Sequence, residues 1–455
     1  MSKVCQWFAL VSCSFSLSVA AQIPVAPEPQ APVSTQPAFA SPTAAPDGQP
    51  LTRVQAEQLA LKNNPRISVQ ALLALAQKQV AREARAGELP SLYGNATAVG
   101  AEEASRLSSG SLSSSRLLNH VGAGVQLNQL ITDFGHTRNL VASSSFQAQA
   151  AEQNAEATRE DILLATDLAF YSALEAQATL RVAQSTVAER QSVGNQVNAL
   201  TASKLKSTLD LSFANVNLSQ ARLLALDSEN QVASAMASLN EILGTATDHP
   251  YVLVDDASVP PPPPSSADAV IALALQQRPD LKALQLRHEA DIRFSRAQHE
   301  QLLPTISAEG VVGGTPVRSS TYFLQDWYGA AGVNVNIPIF NGFKFHAEAA
   351  EADDRAKASD QESRQLVDTI VRDVRTAWLT ASTAQQRMSV TADLVKEANT
   401  ALNLAQTRYQ LGLSSIVELS QAQLQQTQAQ IADANARFQY EADLATLRFQ
   451  SGARP

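Results

Sequence analysis

The sequence is poor in cysteine, in aromatic residues and in charge. Of its 455 residues, 17% are charged and 5% are aromatic, and its two cysteines are Cys5 and Cys13. An export signal cleaved near residue 21 would remove both, which excludes disulfides and cysteine catalysis in the mature chain. A formal net charge of -9 argues against nucleic acid as a partner.

Motifs for catalysis are also missing. The six histidines show no metal-ligand spacing, and there is no Gly-x-Ser-x-Gly. The Asp-Phe-Gly at 133–135 lacks the other kinase motifs, so we interpret it as a strand-to-helix corner. We predict a protein that is not an enzyme, with no catalytic residue, no cofactor and no metal site.

The first 21 residues have the features of a signal peptide, with Lys3, a mostly apolar stretch and small residues before Ala21. An alternative is a lipobox that ends at Cys13, which would then be lipidated. Residues 22–50 contain eight prolines and predict a flexible leader. No later run of about 18 apolar residues indicates a membrane-spanning helix.

The chain consists of two copies of one unit. ALKNNPRISV at 60–69 resembles ALQQRPDLKA at 274–283, and Leu-Pro at 89–90 recurs at 303–304. We expect a first repeat at 51–244, a Pro-rich linker at 245–266, a second repeat at 267–450 and a tail at 451–455. Five consecutive prolines, Pro260 to Pro264, make the linker stiff and exclude helix and paired strand there.

In each unit the sequence pattern predicts two short helices, two strands and two very long helices. The short helices flank Pro65 in the first copy and Pro279 in the second, where each proline suits the first turn of the following helix. Strands are expected at about 91–133 and 305–340, because apolar residues there alternate with polar ones. The alternating apolar residues of the second copy are Val333, Val335, Ile337 and Ile339.

Heptads predict that the long helices, at about 136–243 and 342–449, form coiled coils. In the second copy one seam recurs at seven-residue intervals from Val367 to Tyr409, with Ile370 to Ala405 three positions later. The partner helix shows the stripe Val417, Leu424, Ile431, Phe438 and Ala445, and in the first copy Leu209, Val216 and Leu223 form a second stripe. A helix of 67 residues is about 100 Å long, which no globular core requires.

The strands are long enough to cross a membrane, since about 9 to 11 tilted residues suffice. Two hairpins supply four strands, and a sheet in a bilayer must close to satisfy its edges. Four strands cannot close alone, so the pattern predicts an oligomer. Two copies would give eight strands and three would give twelve, and the pattern does not choose between them.

Residues 408–423, RYQLGLSSIVELSQAQ, carry a Tyr-x-x-Gly-x-x-x-Ile-Val-acid-Leu pattern at 409–419. With the duplication, hairpins and heptads, this resembles the TolC family of outer-membrane efflux and secretion channels over about residues 51–450. The resemblance implies an α+β membrane protein and a homotrimer, whose twelve-stranded outer-membrane β-barrel continues as a long α-helical coiled-coil barrel into the periplasm of a Gram-negative cell. Such a channel is a passive exit duct of a tripartite efflux or type I secretion system.

The resemblance also implies partners and site residues. The partners are a periplasmic adaptor (membrane fusion protein) and an inner-membrane transporter of the RND or ABC type. The implied periplasmic entrance, or gate, comprises Asp210, Glu418, Tyr409 and Gln421. The implied adaptor-docking tips comprise Lys206, Ser207, Thr208, Gly412, Leu413, Ser414 and Ser415.

The chain departs from the family pattern at the turns. Ser414 stands where some members have an arginine, Gln421 replaces an acid, and Lys204 stands where a counterpart of Gly412 is expected. We therefore expect fewer charged contacts to hold the entrance shut. Asp210 and Glu418 would form acid rings that favour cations, or would simply complement helix dipoles. The serines and threonine would also act as helix caps.

Two alternatives stay open. A periplasmic or surface coiled-coil structural protein would explain the heptads but not the alternating strands. A channel of the same fold would also serve protein export rather than small-molecule efflux, because the pump selects the cargo.

Overall fold

The computed structural model describes residues 49–99, 106–107, 115–116, 120–245, 250–255, 260–314 and 327–452. The predicted signal peptide, the leader up to residue 48 and the loop at 315–326 lie outside these ranges. The described residues belong to one unit, Asp47–Pro455. Within them, no helix has a segment long and apolar enough to cross a bilayer.

The predicted helices and long strands follow each other in the predicted order in both copies. The first copy contains β1 (Gln49–Leu51), α1 (Arg53–Asn63), α2 (Pro65–Ala86), β2 (Ser91–Val99), β3 (Arg106–Leu107), β4 (Ser115–Arg116), β5 (His120–Thr132), α3 (His136–Ala202) and α4 (Thr208–Ile242). The second contains β6 (Tyr251–Leu253), α5 (Ala267–Gln277), α6 (Pro279–Glu300), β7 (Thr305–Gly314), β8 (Trp327–Asn336), α7 (Lys344–Gln410) and α8 (Ile416–Ser451). The short strands β1, β3, β4 and β6 are additional to the predicted elements.

The short helices begin where the sequence predicts. Thr52 and Gln55 form a reciprocal capping box at the start of α1. Asn64 caps α2, and Pro65 occupies its first turn, where the missing N–H is not needed. Pro279 has the same place in α6. These prolines therefore separate two helices in each copy, as predicted.

The four long strands form one antiparallel sheet in the order β2-β5-β7-β8. Each copy contributes one hairpin, and β5 joins the two hairpins through its pairing with β7. The predicted extension of the last strand to residue 340 is wrong, because β8 ends at Asn336. Pro338 follows two residues later and has no N–H to donate to the ladder, so pairing stops before it.

The long helices α3 and α7 contain 67 residues each, about 100 Å of rise. The predicted α7 seam is confirmed, since its members from Ile370 to Tyr409 are largely buried. The predicted α8 stripe is wrong at its start. Val417 and Leu424 are exposed, while Ile416 and Gln423 are buried instead. Because α8 packs against both α7 and α3, its buried arc lies between two partners rather than on one heptad stripe.

The linker and the end of the leader are more structured than predicted. Gln49–Leu51 pairs in parallel with Tyr251–Leu253, so the leader ends and the linker begins in a two-stranded sheet. Leu51 and Leu253 are buried in the core with Phe170 and Phe438. This pairing gives no local sequence signal, because three-residue strands meet across about 200 residues of chain.

The polyproline segment is bound to the helices of the second copy. The Tyr440 hydroxyl donates a hydrogen bond to the Pro261 carbonyl at 2.6 Å, and the Trp378 indole N–H donates one to the Pro264 carbonyl at 2.7 Å. Residues 260–264 form no strand, so no ladder satisfies these carbonyls, and the two aromatic donors fix the segment against α7 and α8. The linker is therefore a strap as well as a spacer.

Candidate functional site: the paired helix tips and the sheet

Two turns reverse the long helices, one between α3 and α4 and one between α7 and α8. In the second turn Gly412 has φ of 74°, as the sequence predicts for a permissive backbone position. Ser415 caps α8 by accepting a hydrogen bond from the Glu418 N–H at 3.3 Å. Ser414 does not cap, and its buried hydroxyl has no partner among the described residues.

The first turn repeats this geometry with a different residue. Lys204 has φ of 59°, in the left-handed region that normally selects glycine. Ser207 accepts from the Asp210 N–H at 3.2 Å, and the Asp210 carboxylate accepts from the Ser207 N–H at 3.3 Å. Asp210 and Glu418 thus occupy the same third position of their helices. Both complement the helix dipole, whatever else they do.

One side-chain contact joins the two turns. The Lys206 ammonium lies 4.1 Å from the centroid of the Tyr409 ring, a cation–π contact. Tyr409 is 4% exposed, and its hydroxyl has no hydrogen-bond partner in the described chain. Burial, and then the nearby Asp210 charge, raise the pKa of Tyr409. Lys206, predicted for the docking tip, therefore packs on Tyr409, which the resemblance assigns to the entrance.

Two further contacts at the tips had no sequence signal. Arg408 Nε lies 3.1 Å from the Glu418 carboxylate, and both side chains are about half exposed, so the pair is worth little stability but offsets part of the acid's field. Asn217 of α4 donates to the Ser420 hydroxyl of α8 at 2.7 Å. The first contact lies within the second copy and the second joins the two copies, and helical periodicity encodes neither of them.

The remaining predicted tip residues lie at the surface. Gln421 is exposed one helical turn beyond Glu418. Ser207, Thr208, Gly412, Leu413 and Ser415 are exposed, and Ser414 is half-buried. No cluster of three or more metal-ligating side chains occurs in the part of the chain that the structure describes.

An exposed apolar ladder at the tips was only partly anticipated. Lys344 stands 208 residues after His136, and this offset pairs equivalent positions of the two copies. Towards the tips, large apolar side chains are exposed in both copies at three such pairs. These pairs are Leu205 with Leu413, Leu209 with Val417, and Val216 with Leu424.

The four-stranded sheet has one apolar and one polar face. Residues paired across antiparallel strands share a face, so the register sorts them. Leu92, Leu127, Val312, Val333 and Val335 fall on one face and are exposed in the single chain. The opposite face carries Tyr93, Asn95, Gln126, Asn128, Glu309 and Asn334.

This fold, with its hairpin sheet, rods of about 100 Å and acidic capped tips, defines a TolC-like α+β channel protein. The chain matches the family described as "Outer membrane efflux protein" over residues 57–245 and 270–453. It belongs to that family. It is an outer-membrane efflux channel, a passive duct rather than an enzyme, and channels of this family work with adaptor and inner-membrane pump partners.

Curated relatives and solved structures agree with this assignment. The outer membrane protein OprJ of Pseudomonas aeruginosa is 24% identical over 371 residues, which cover 80% of this chain and 76% of OprJ. The toluene efflux pump outer membrane protein TtgC of Pseudomonas putida is 24% identical over 440 residues, 91% of this chain and 88% of TtgC. The outer membrane protein VceC of Vibrio cholerae superposes with a TM-score of 0.75 at 18% identity, covering 88% of this chain and 96% of VceC.

Proposed function

We propose that three copies of the chain close into a duct from the periplasm to the exterior, with a gate and adaptor-docking surfaces at the helix tips. The observation that supports ring closure is an interface used inside the chain but left open at the equivalent position of the second copy, and the number three is what the resemblance to the TolC family implies.

The used interface is the seam between α3 and α8. Tyr171 contacts Glu441 at 3.4 Å, Thr179 donates to the Asn435 side-chain oxygen at 3.2 Å, and Arg190 donates to Thr427 at 3.2 Å. By the 208-residue offset, α7 is the equivalent of α3 and α4 is the equivalent of α8. In a closed ring α7 of one chain would therefore pack against α4 of the next, as α3 packs against α8 within one chain.

The surfaces that would meet are unpartnered within one chain. On α7 the positions equivalent to the α3 seam include Leu379, Val390 and Leu394, which are exposed apolar residues. On α4 the positions equivalent to the α8 seam include Leu223 and Leu226, also exposed. Apolar patches of this kind mark an interface between proteins.

The mapping also pairs two opposite charges. Thr179 and Asn435, in contact within the chain, correspond to Arg387 and Asp227. Both are exposed, and neither has an ion-pair partner within 4 Å in the described chain. Ring closure would set Arg387 of one copy beside Asp227 of the next.

The test is a charge exchange. Arg387→Asp and Asp227→Arg should each weaken the trimer, because like charges would face each other, and the double exchange should restore it. The fraction of heat-dissociable trimer on gels measures this. Asp393→Arg, an acid-to-base change elsewhere on α7, is the matched control. Single exchanges that leave the trimer intact would contradict this interface.

Three copies would supply twelve strands, enough for a closed barrel with a water-filled interior. The exposed apolar face would meet lipid and the polar face would line the lumen.

At the other end, Asp210 and Glu418 would supply six carboxylates at the entrance, with Tyr409 and Gln421 among its residues. Since Arg408 offsets the Glu418 charge, Asp210→Asn should reduce cation preference more than Glu418→Gln in planar bilayers; equal or reversed effects would contradict this.

The docking surface would combine the turn residues with the apolar ladder. The turn residues are Lys206, Ser207, Thr208, Gly412, Leu413, Ser414 and Ser415. Leu209 and Val417 are equivalent positions of the two copies, and both are exposed. Val417 stays exposed although α8 packs on α3, so Leu209 would also stay exposed when α4 packs on α7 of the next chain. Both side chains would then be accessible to an adaptor hairpin. Leu209→Glu with Val417→Glu should abolish efflux while trimers persist, and normal efflux would contradict docking there.

We place this channel in a tripartite system with a periplasmic adaptor and an inner-membrane transporter of the RND or ABC type. The names of relatives, toluene efflux for one and antibiotic efflux for another, favour small-molecule cargo over protein secretion. Drug accumulation and protein export in a deletion strain, with and without the restored gene, separate these two cargoes.

We also propose the division of the precursor. It comprises a signal peptide at 1–21, a leader at 22–50, repeats at 51–244 and 267–450 separated by the linker, and a tail at 451–455. Amino-terminal sequencing of the mature protein, together with a lipid-labelling assay for Cys13, tests the first boundary.

A further inference from the structure

One acidic side chain stands alone in the four long strands. Within β2, β5, β7 and β8, Glu309 is the only Asp, Glu, Lys or Arg. It is exposed, and no ion pair or hydrogen bond joins it to another described side chain. A carboxylate without a partner would be costly on a lipid face, so its place on the polar face is consistent with contact to water.

The surroundings of Glu309 are open and rich in amide groups. Its cross-strand neighbours are Asn128 and Gly332, and the rows on either side contain Gln126 and Asn334. A recess of about 360 Å³ lies here, lined by Gln126, Glu309 and Asn334 together with glycines that leave space. The Gln126 amide donates to the Asn128 side-chain oxygen at 3.3 Å, so these amides are held by each other rather than by the acid.

The dimensions of the proposed barrel decide how such an acid would act. Twelve strands about 4.8 Å apart and tilted by about 40° give a backbone radius of roughly 12 Å. An inward glutamate would bring its carboxylate to about 8 Å from the axis, within the Debye length of about 10 Å at 0.1 M salt. Three such groups would stand roughly 14 Å apart, too far to chelate one ion but close enough to set the potential along the axis.

We propose that Glu309 is a selectivity-determining residue: in the assembled channel its three copies form a ring of carboxylates inside the barrel that admits cations in preference to anions. This rests on the proposed trimer. The ring lies in the membrane section, far from the acids at the helix tips, so the duct has a charge filter at each end. Cationic cargo and inorganic cations pass it more readily than anions of the same size.

Reversal potentials in planar bilayers, measured with a KCl gradient around 0.1 M, test the proposal. Glu309→Gln should lower the K⁺ to Cl⁻ permeability ratio by about threefold or more, and the difference should vanish near 1 M, where the Debye length is about 3 Å. Glu309→Asp keeps the charge and is the matched control. Asn334→Asp, one row away on the same face, should raise the ratio in the wild-type background and restore it in Glu309→Gln.

The outcomes separate this inference from the function on which it depends. If the wild-type protein conducts and neither Glu309→Gln nor Asn334→Asp changes the permeability ratio at 0.1 M, the barrel ring is contradicted while the channel stands. If the wild-type protein forms neither trimers nor conducting pores, the proposed assembly fails and the ring fails with it. If the Glu309→Gln variant does not assemble, the K⁺ to Cl⁻ permeability ratio of Asn334→Asp still tests the ring. A raised ratio would support the ring, and an unchanged ratio would contradict it.

Discussion

The Lys206 ammonium lies over the Tyr409 ring at 4.1 Å, and this contact joins the turn of the first copy to the turn of the second. The tyrosine hydroxyl makes no hydrogen bond to any described residue. The ring, rather than the hydroxyl, is therefore the part of Tyr409 that holds the two tips together.

Removing the cation should loosen the tips, whereas removing the hydroxyl should not. Lys206→Gln loses a contact worth about 1 to 2 kcal/mol, which shifts a closed-to-open equilibrium roughly tenfold. Single-channel conductance and open probability should rise. Tyr409→Phe keeps the ring and should behave like the wild type. If Lys206→Gln behaved like the wild type while Tyr409→Phe raised the open probability, the hydroxyl rather than the ring would hold the tips together.

The two turns should respond in opposite directions to glycine exchange. Gly412→Ala places a Cβ at φ of 74°, which costs about 1 kcal/mol although nothing crowds the site. Lys204→Gly relieves a similar strain at φ of 59° and should stabilise the tip by up to about 1 kcal/mol. The midpoint of thermal helix loss, followed by circular dichroism, measures both. Shifts of the same sign would contradict this explanation.

The anchoring of α1 should weaken as pH rises. Burial, followed by a hydrogen bond with Asp167 and the charge of Asp167, raises the pKa of Glu57 to about 7, while Arg53 and Arg448 oppose the shift. A carboxyl whose folded pKa is raised contributes stability below its ordinary value of about 4.5, and that contribution is lost as pH rises through about 7. Hydrogen exchange, corrected for intrinsic rates, should show α1 opening more readily at pH 8 than at pH 5.

Glu57→Gln provides the control for that measurement. The amide resembles the protonated acid, so the pH dependence of α1 opening should largely disappear. An opening free energy that is the same at pH 5 and pH 8 in the wild type would exclude Glu57 as the titrating group.

The linker strap should contribute measurable stability. Tyr440→Phe keeps the ring and removes the donor to the Pro261 carbonyl, whereas Trp378→Phe replaces the indole by a smaller aromatic ring and removes the donor to the Pro264 carbonyl. Each loss should cost about 1 kcal/mol in the free energy of unfolding. Tyr171→Phe removes a long 3.4 Å contact elsewhere and should cost less, so it is the control. Equal losses in all three variants would contradict the strap.

The sequence predicted what repeats locally and missed what depends on distant partners. The seam from Ile370 to Tyr409 could be predicted from the sequence because α7 buries one heptad stripe. Val417 and Leu424 have the same spacing, yet they are exposed, since α8 packs on two helices and periodicity does not say which stripe is covered. The same limit hid the cation–π contact of Lys206, because its partner lies about 200 residues away.

Native mass measurement of the protein, extracted with detergent from purified outer membranes, shows directly whether three chains form the channel. We expect an assembly of three copies that separates into single chains on heating. A single chain in the soluble periplasmic fraction, or an assembly of two copies, would contradict it.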